Sequence, residues 1–382
     1  FKNSVDEDGN MIWWDASKNP QENPYWVTKY RQNNDTRNRL LGNIALKYAP
    51  TNWFNIELRG GTDYYTTTKN EKVYAGGNTT PSGLYSEGSE TFYENNYSFL
   101  ATANKDNLID CLGGFVTFGG NLMIQRRTKM NASAGELLVP NLFSLNNGIN
   151  KPTVTSELIR RKMNSLYGSL QLNWDGYLFL DITARNDWSS TMSKANRSYF
   201  YPSVSLSGVI SDMVPKLGGQ MPEWFTFAKV RASYAEVGND LDPYQLYNNF
   251  TVGKDENGNT TAAPGNVLYD SNVRSELIKS WEAGFDIRFF NNRLGLDAAW
   301  YKTNATRQLL NLPMDPFSGY SSRKVNAGNI QNEGVEISLN GLILDNPKGL
   351  SWNSTAQFSL NRNKIIDLYP GVTLYDIKTL DA

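Results

Sequence analysis

The chain has 382 residues, with 37 basic against 38 acidic side chains and a net charge of −1, a balance that offers no footprint for nucleic acid. It holds no histidine and a single cysteine, Cys111, so Ser-His-Asp and Cys-His nucleophiles are excluded, the commonest metal ligand is missing and no internal disulfide can form. Mean hydropathy is −0.51 and no run approaches the ~20 apolar residues of a membrane helix, which excludes helical spans but not strands that are apolar on one side only.

The chain opens at Phe1 without a charged and then apolar leader, as expected of a mature or internal piece. Period-two alternation sets in at residues 38–48, where Leu40, Gly42, Ile44, Leu46 and Tyr48 oppose Arg39, Asn43 and Lys47. Pro50-Thr51-Asn52 turns the chain, and Phe54, Ile56 and Leu58 then oppose Asn55, Glu57 and Arg59. In residues 165–190, Leu166, Gly168, Leu170 and Leu172 lead into Asp175-Gly176, a hairpin signal, after which Leu178, Leu180, Ile182 and Ala184 oppose Asp181, Thr183, Arg185 and Asp187. Val230, Ala232 and Tyr234 form the next row. Trp281, Phe285, Ile287 and Phe289 follow, and past Asn291-Asn292 come Leu294, Leu296, Ala298 and Trp300. Val335, Ile337 and Leu339 and then Ala356, Phe358 and Leu360 close the series.

About twelve strands are expected, and their links alternate. Links at 49–52, 105–108, 174–176, 291–292 and 345–349 are short. Those at 66–93, 125–160, 188–198, 238–278 and 306–329 are long, and 212–223 is intermediate. An up-and-down barrel with tight turns at one rim and extended loops at the other sorts its connections in this way; a Greek-key sandwich does not. The rows therefore predict an all-β, transmembrane, antiparallel up-and-down β-barrel.

The charged rows bear on which side is wet. Asp181, Arg185, Arg231, Glu282, Asp286 and Arg288 stand opposite clean apolar rows and are the candidate lumen-facing charges. A one-residue slip would carry such groups into lipid, at ~2–4 kcal/mol for an Arg at the midplane. Their side is either bulk water or a wide hydrated lumen. Phe179 and Phe227 break the pattern by falling among the charges. The bland expectation for Cys111 is a buried thiol.

Catalytic and metal chemistry find little purchase. DEDGN (6–10) and DENGN (255–259) place glycine too early for a calcium loop and read as turns. Neither a metal nor a cofactor is expected, and a carboxylate-pair glycosidase is the main enzymatic class left open. Aromatics in the extended connections, Tyr64, Tyr65, Tyr74, Tyr85, Trp188, Tyr244, Tyr247 and Tyr269, lie among amide and hydroxyl residues suited to sugar rings or peptide backbones. Trp188, Tyr244, Tyr247 and Tyr269 are the candidate substrate contacts. Trp188, Tyr199 and Tyr201 are also placed to join an aromatic girdle.

Five strings in order carry a resemblance. NAGNIQNEGVEISLNG (326–341) resembles the Asn-Ala-Gly…Asn-x-Gly-Val-Glu signature of SusC/RagA-like TonB-dependent outer-membrane transporters. YLFLDITARNDWSS (177–190), YFYPSVSLSGVISD (199–212), VRASYAEVGND (230–240) and SWEAGFDIRFFNNRLGLDAAWYKT (280–303) are similar to successive barrel strands of that family, and the likeness covers most of residues 37–366. It implies a bacterial outer-membrane location and TonB-dependent uptake of oligosaccharides or peptides. A SusD-like surface lipoprotein and the TonB-ExbB-ExbD complex are the implied partners, the latter engaged through parts outside this segment. The family's TonB box and plug have no counterpart in residues 1–382, and such a barrel needs about 22 strands, so the chain is expected to be part of a larger wall. The alternatives are a soluble secreted glycan-binding β-protein and a β-rich glycoside hydrolase.

Overall fold

A computed structural model of the chain describes residues 4–13 and 22–369. Among the described residues the elements are α1 (Pro24–Tyr30), β1 (Arg31–Tyr48), β2 (Phe54–Val73), β3 (Leu84–Ile109), β4 (Leu112–Glu136), β5 (Thr153–Trp174), β6 (Leu178–Ser189), β7 (Ser198–Val209), α2 (Ile210–Lys216), β8 (Phe225–Asn239), β9 (Phe250–Lys254), β10 (Thr260–Pro264), β11 (Val267–Leu268), β12 (Glu276–Phe289), β13 (Leu294–Pro313), β14 (Ser322–Leu344) and β15 (Trp352–Asp367). Setting aside the short β9, β10 and β11 leaves twelve long strands, the number the alternation predicts. They join one 13-stranded sheet in chain order, β1 through β8 and then β12, β13 and β14. β15 pairs β14 antiparallel and β11 adds a two-residue parallel edge.

The links alternate as expected, but the long ones are shorter than the sequence suggests. The expected 66–93 loop shrinks to 74–83, 125–160 to 137–152, 188–198 to 190–197 and 306–329 to 314–321, while 240–275 contains the β9–β10 hairpin. The cause is strand length. β2, β3, β4 and β14 run 20, 26, 25 and 23 residues, about twice the 9–11 that cross a bilayer. In the stretches beyond that length apolar and polar residues no longer alternate, although pairing continues. Tyr64 and Tyr65 accordingly lie inside β2, and Tyr85 is buried inside β3.

The tight links follow turn chemistry. Asp175 and Gly176 both have positive φ, +50° and +75°, and the Tyr177 amide donates to the Trp174 carbonyl at 3.1 Å, the geometry that matches strand twist in a two-residue hairpin. Cys111 sits in the two-residue turn after Asp110 and is exposed, contrary to the expected buried thiol, because a turn residue has no sheet face to hide behind.

The chain divides into two compact units. The first comprises Phe1–Ile44, Arg59–Tyr97 and Met123–Arg161. It is organised around Tyr85, Ala134 and Leu137, with Phe143 and Leu145 packed on them. The Asn147 amide donates to the Val139 and Leu142 carbonyls at 2.8 and 2.7 Å, which holds the 137–152 link in shape. The Asn23 side chain caps α1, and the buried Trp26 of that helix stacks on Tyr30 at 4.3 Å.

The second unit comprises Ala45–Leu58, Ser98–Leu122 and Lys162–Ala382. Its apolar clusters lie under the long links: Met192, Leu241, Leu246 and Val273 in one, Leu312, Val325 and Ala327 in the other. The aliphatic rows of the sheet belong to neither. One register row runs Leu172, Leu180, Leu206, Ala232, Ala283, Trp300, Val335, Leu360 across eight strands without a polar residue, and none of the eight is buried. No second layer of protein covers it among the described residues.

Candidate functional site

The opposite face of those eight strands is mainly polar. Gln171, Asp181, Ser205, Ser233, Glu282, Tyr301, Gly334 and Asn361 share one register row. Asp181, Arg185, Arg231, Glu282, Asp286 and Arg288, the six charges singled out from alternation, all lie on this face.

Most of them are paired. The Arg231 guanidinium donates to both carboxylate oxygens of Asp297, at 3.0 and 3.2 Å, and lies 3.7 Å from Glu282. These groups, with Tyr301, Glu336 and Gln357, line a groove of ≈ 920 Å³ on the polar face. Arg288 pairs with Asp286 at 2.9 Å, and its guanidinium sits 4.9 Å from the centre of the Phe227 ring. Phe227, out of pattern in the sequence, is therefore the platform of an arginine. Phe179 faces Asn173 and Ser207 and lines a pocket with Gly113, Gly114 and Asp181.

A second constellation joins three of the quoted strings. Asp187 is buried, accepts from Arg185 Nε at 2.9 Å and accepts the Tyr201 hydroxyl; Arg185 also donates to Ser165 Oγ at 3.0 Å. Two residues on, the buried Ser189 hydroxyl donates to Asp240, which also accepts from Thr191 Oγ1 at 2.8 Å. Arg185, Asp187 and Ser189 alternate onto one face of β6, so Arg-Asn-Asp-Trp-Ser reads as a rail: its charged end ties β5 to β7, and its hydroxyl end ties down the start of the 240–275 link. The sequence shows the strings but not the joint, since Asp240 is 51 residues from Ser189. Tyr199 and Tyr201 thus belong to the polar face, and their expected place in an outward girdle does not hold.

The 326–341 string is a second joint. Asn326 Oδ1 accepts the Arg274 amide at 2.6 Å, while its amide donates to the Arg274 and Arg307 carbonyls at 2.8 and 2.9 Å, clamping the mouths of two loops. Gly328 has φ +79°, and a Cβ on Gly334 would meet the Leu360 carbonyl and the Tyr301 ring at 2.5–2.6 Å. Both positions demand glycine, for backbone conformation and for close approach respectively.

Of the candidate loop aromatics, Tyr244 and Tyr247 are exposed on the 240–275 link, whose floor is Leu241, Leu246 and Val273. Tyr269 is held close to Tyr247: its amide donates to the Asn248 side chain at 2.8 Å and its carbonyl accepts back at 3.4 Å. Trp188 is different. It falls within β6 beside Ser189, on the face of Ile182 and Ala184, and does not share the polar side with the other candidates. Trp53, Trp174, Trp224 and Trp352, all exposed, cluster at the short links, where a girdle belongs. Asp6 and Asp255 accept the Asn10 and Asn259 amides at 2.7 and 2.8 Å around Gly9 and Gly258, so DEDGN and DENGN are the same turn; these bonds hold the Asp255 carboxyl below the usual aspartate range. Among the described residues no group of three or more His, Cys, Asp or Glu side chains is arranged around a metal position.

A family model described as TonB dependent receptor-like, beta-barrel, matches residues 2–378. The TonB-dependent receptor P26 of Formosa agariphila is 26% identical over 404 residues, which cover 97% of this chain and 38% of that protein. The TonB-dependent receptor SusC of Bacteroides thetaiotaomicron is 25% identical over 236 residues, 57% of this chain and 22% of that one. The fold of the RagAB peptide transporter superposes with a TM-score of 0.84 at 21% identity, covering 97% of this chain and 41% of that chain. The chain thus spans less than half the length of the relatives it matches.

Proposed function

The chain belongs to the TonB-dependent receptor-like β-barrel family, and we propose on that premise that it forms wall, loops and part of the solute cavity of a SusC/RagA-like TonB-dependent importer of oligosaccharides or peptides in the outer membrane. Its task is binding and passage, with no bond made or broken. The observation that carries the reading is the two-sided sheet: an uncovered apolar row across eight strands backed by rows of paired charges and hydroxyls. A soluble glycan-binding sheet would cover that apolar row with protein, and a hydrolase has no use for it.

In this reading lipid lies against the Leu206 side and a hydrated lumen against the Arg231 side. The pairing of Arg185, Arg231 and Arg288 with carboxylates gives the wall a fixed pattern of donors and acceptors while leaving less free charge to trap a solute, as a passage requires. Tyr244, Tyr247 and Tyr269 supply aromatic faces at the loop rim for sugar rings or peptide groups. A SusD-like surface lipoprotein is the partner proposed above these loops, and TonB-ExbB-ExbD the energy source, acting through segments beyond this chain. The peptide alternative draws support from RagAB, whose fold this chain shares; the oligosaccharide alternative rests on the loop aromatics.

The test uses the full-length protein with residues 240–275 replaced by a short turn. Uptake of labelled oligosaccharides and of labelled peptides is measured in cells that carry the barrel at normal surface density. Loss of one of the two uptakes assigns the substrate class, and uptake of both at the unaltered rate would refute the loop's part in binding.

A further inference from the structure

A pocket of ≈ 640 Å³ lies at the end of β6 in the second unit, where the paired Asn164 and Trp188 stand on the side of the aliphatic rows. It is lined by Trp188, the buried Met192 and Ser189, Ser190, Asn164 and three cations, Lys162, Lys194 and Arg197. No carboxylate lines it. This is unlike the polar face, where Arg185, Arg231 and Arg288 each have a carboxylate partner. Asp187 and Asp240, the acids bonded around the end of β6, are already engaged: Asp187 with Arg185 and Tyr201, Asp240 with Ser189 and Thr191.

The height of the pocket is informative. Leu178 pairs Trp174 at the tight-turn girdle, and Trp188 lies ten residues further along β6. At ~3.3 Å per residue that is about 33 Å of strand, or about 25 Å along the membrane normal for a strand tilted ~40°. About 25 Å is also the height of the apolar band of an outer-membrane barrel. Trp188 therefore stands at the far interface, one register pair above the exposed Phe200, which faces Asn186. Lys162, Lys194 and Arg197 reach into the headgroup layer on the long-loop side. Apolar surface below, an indole at the boundary and three cations above match a phosphorylated amphiphile end to end.

We propose that the pocket bounded by Trp188, Lys162, Lys194 and Arg197 binds the phosphorylated headgroup of an outer-leaflet lipid, with the acyl chains lying on the row of Leu170, Ile182 and Val204. The site rests on the outer-membrane barrel reading but not on the substrate proposed above, since it lies on the opposite face of the sheet from the solute groove. It also removes Trp188 from the substrate contacts: the residue belongs to a lipid site.

The full-length protein, purified in neutral detergent, is incubated with lipid A, with zwitterionic phosphatidylcholine or with inorganic phosphate, and bound molecules are counted by native mass spectrometry. Lipid A is expected to be retained, phosphatidylcholine not, and millimolar inorganic phosphate is expected not to displace it. Each cation near an anionic lipid is worth about fivefold in binding, so the triple variant Lys162→Gln, Lys194→Gln, Arg197→Gln should bind lipid A about 100-fold more weakly. Lys194→Gln alone, on an exposed link, should lose about fivefold and leaves assembly undisturbed if the triple variant misfolds. Equal retention by wild type and Lys194→Gln would overturn the site, and displacement by inorganic phosphate would reassign it to free anions. Solute uptake should be unchanged in Lys194→Gln, which separates failure of this site from failure of the transport reading.

Discussion

The two faces of the second unit's sheet share the same backbone and are held by opposite means. The outward face is uniform in kind and tolerant in detail: Leu, Ile, Val, Ala, Phe and Trp succeed one another along a row, and what matters is that none is polar. The inward face is the reverse. There Arg185, Asp187 and Tyr201, or Arg231 and Asp297, are matched atom to atom, and a change of type breaks a specific bond. One face answers to a solvent, the other to partners. The outward band also slants across the register. The row through Leu170, Ile182, Val204, Tyr234 and Trp281 turns charged at Lys302, Glu333 and Arg362, which is how strands tilted to the membrane normal carry a row out of the hydrocarbon.

The sharpest way to break this contrast is to place one charge on each face at the same height. Ile182→Arg, near mid-band, should cost ~2–4 kcal/mol in urea-dependent folding of the full-length barrel into vesicles. Thr183→Arg, its neighbour on the polar face, should cost less than ~1 kcal/mol, limited to the lost hydrogen bond with Ser203. Equal costs would mean that both faces meet the same solvent.

The next effect tests whether the inward face works by pairs. Asp187→Ala strands the Arg185 guanidinium and the Tyr201 hydroxyl around a buried position and should destabilise by ~1–3 kcal/mol. Adding Arg185→Leu should recover part of that loss, giving a coupling energy of ~1 kcal/mol or more in a double-mutant cycle. Strict additivity would show that the two residues act separately.

A smaller effect concerns the rail's other end. Asp240→Ala removes the shared acceptor of Ser189 and Thr191 and should leave the barrel's midpoint within ~1 kcal/mol while loosening the 240–275 link. Faster proteolytic cleavage within 240–275 on intact cells is the expected readout; unchanged cleavage would show that Leu241 and Leu246 suffice to hold the link.

The smallest lies off the sheet, in the first unit. Burial raises the Glu22 carboxyl, but hydrogen bonds from Arg31 and Thr79 outweigh it and hold the group below the usual glutamate range. A depressed carboxyl contributes stability that is fully present above its unfolded-state value and is lost as pH falls through its folded value. Resistance of the segment around α1 to protease should therefore decline on acidification into that range, and Glu22→Gln should flatten the decline. The effect should stay within ~1 kcal/mol, because the Arg31 partner is partly exposed.

Much of this was legible in the amino-acid order. Alternation placed Leu166 and Leu172 on one side of β5 and Asp181 and Arg231 on the other side of their strands, because a pleat has period two whatever surrounds it. Asp175-Gly176 announced its turn because few other residue pairs accept two consecutive positive φ angles. The loop boundaries read from alternation differ from the structure where alternation lapses within a strand: residues 66–73 of β2 are paired strand, with Thr67 and Val73 buried, and carry no periodic signal. Trp188 fits two readings in the sequence for a related reason. Near a strand end an aromatic side chain suits a loop site and a lipid boundary equally, and only its register against Asn164 and Ser198 tells which side it faces.

The sequence by itself therefore determined the strand content, the alternation of short and long links and the sorting of side chains onto two faces, since each depends on residues a few positions apart. The tertiary structure decided what those faces hold: Asp240 under Ser189, Asn326 across Arg274 and Arg307, and Lys162, Lys194 and Arg197 around the Trp188 indole. These are meetings between residues tens of positions apart, set by register between strands and by the path of the links, and no local pattern encodes such distances.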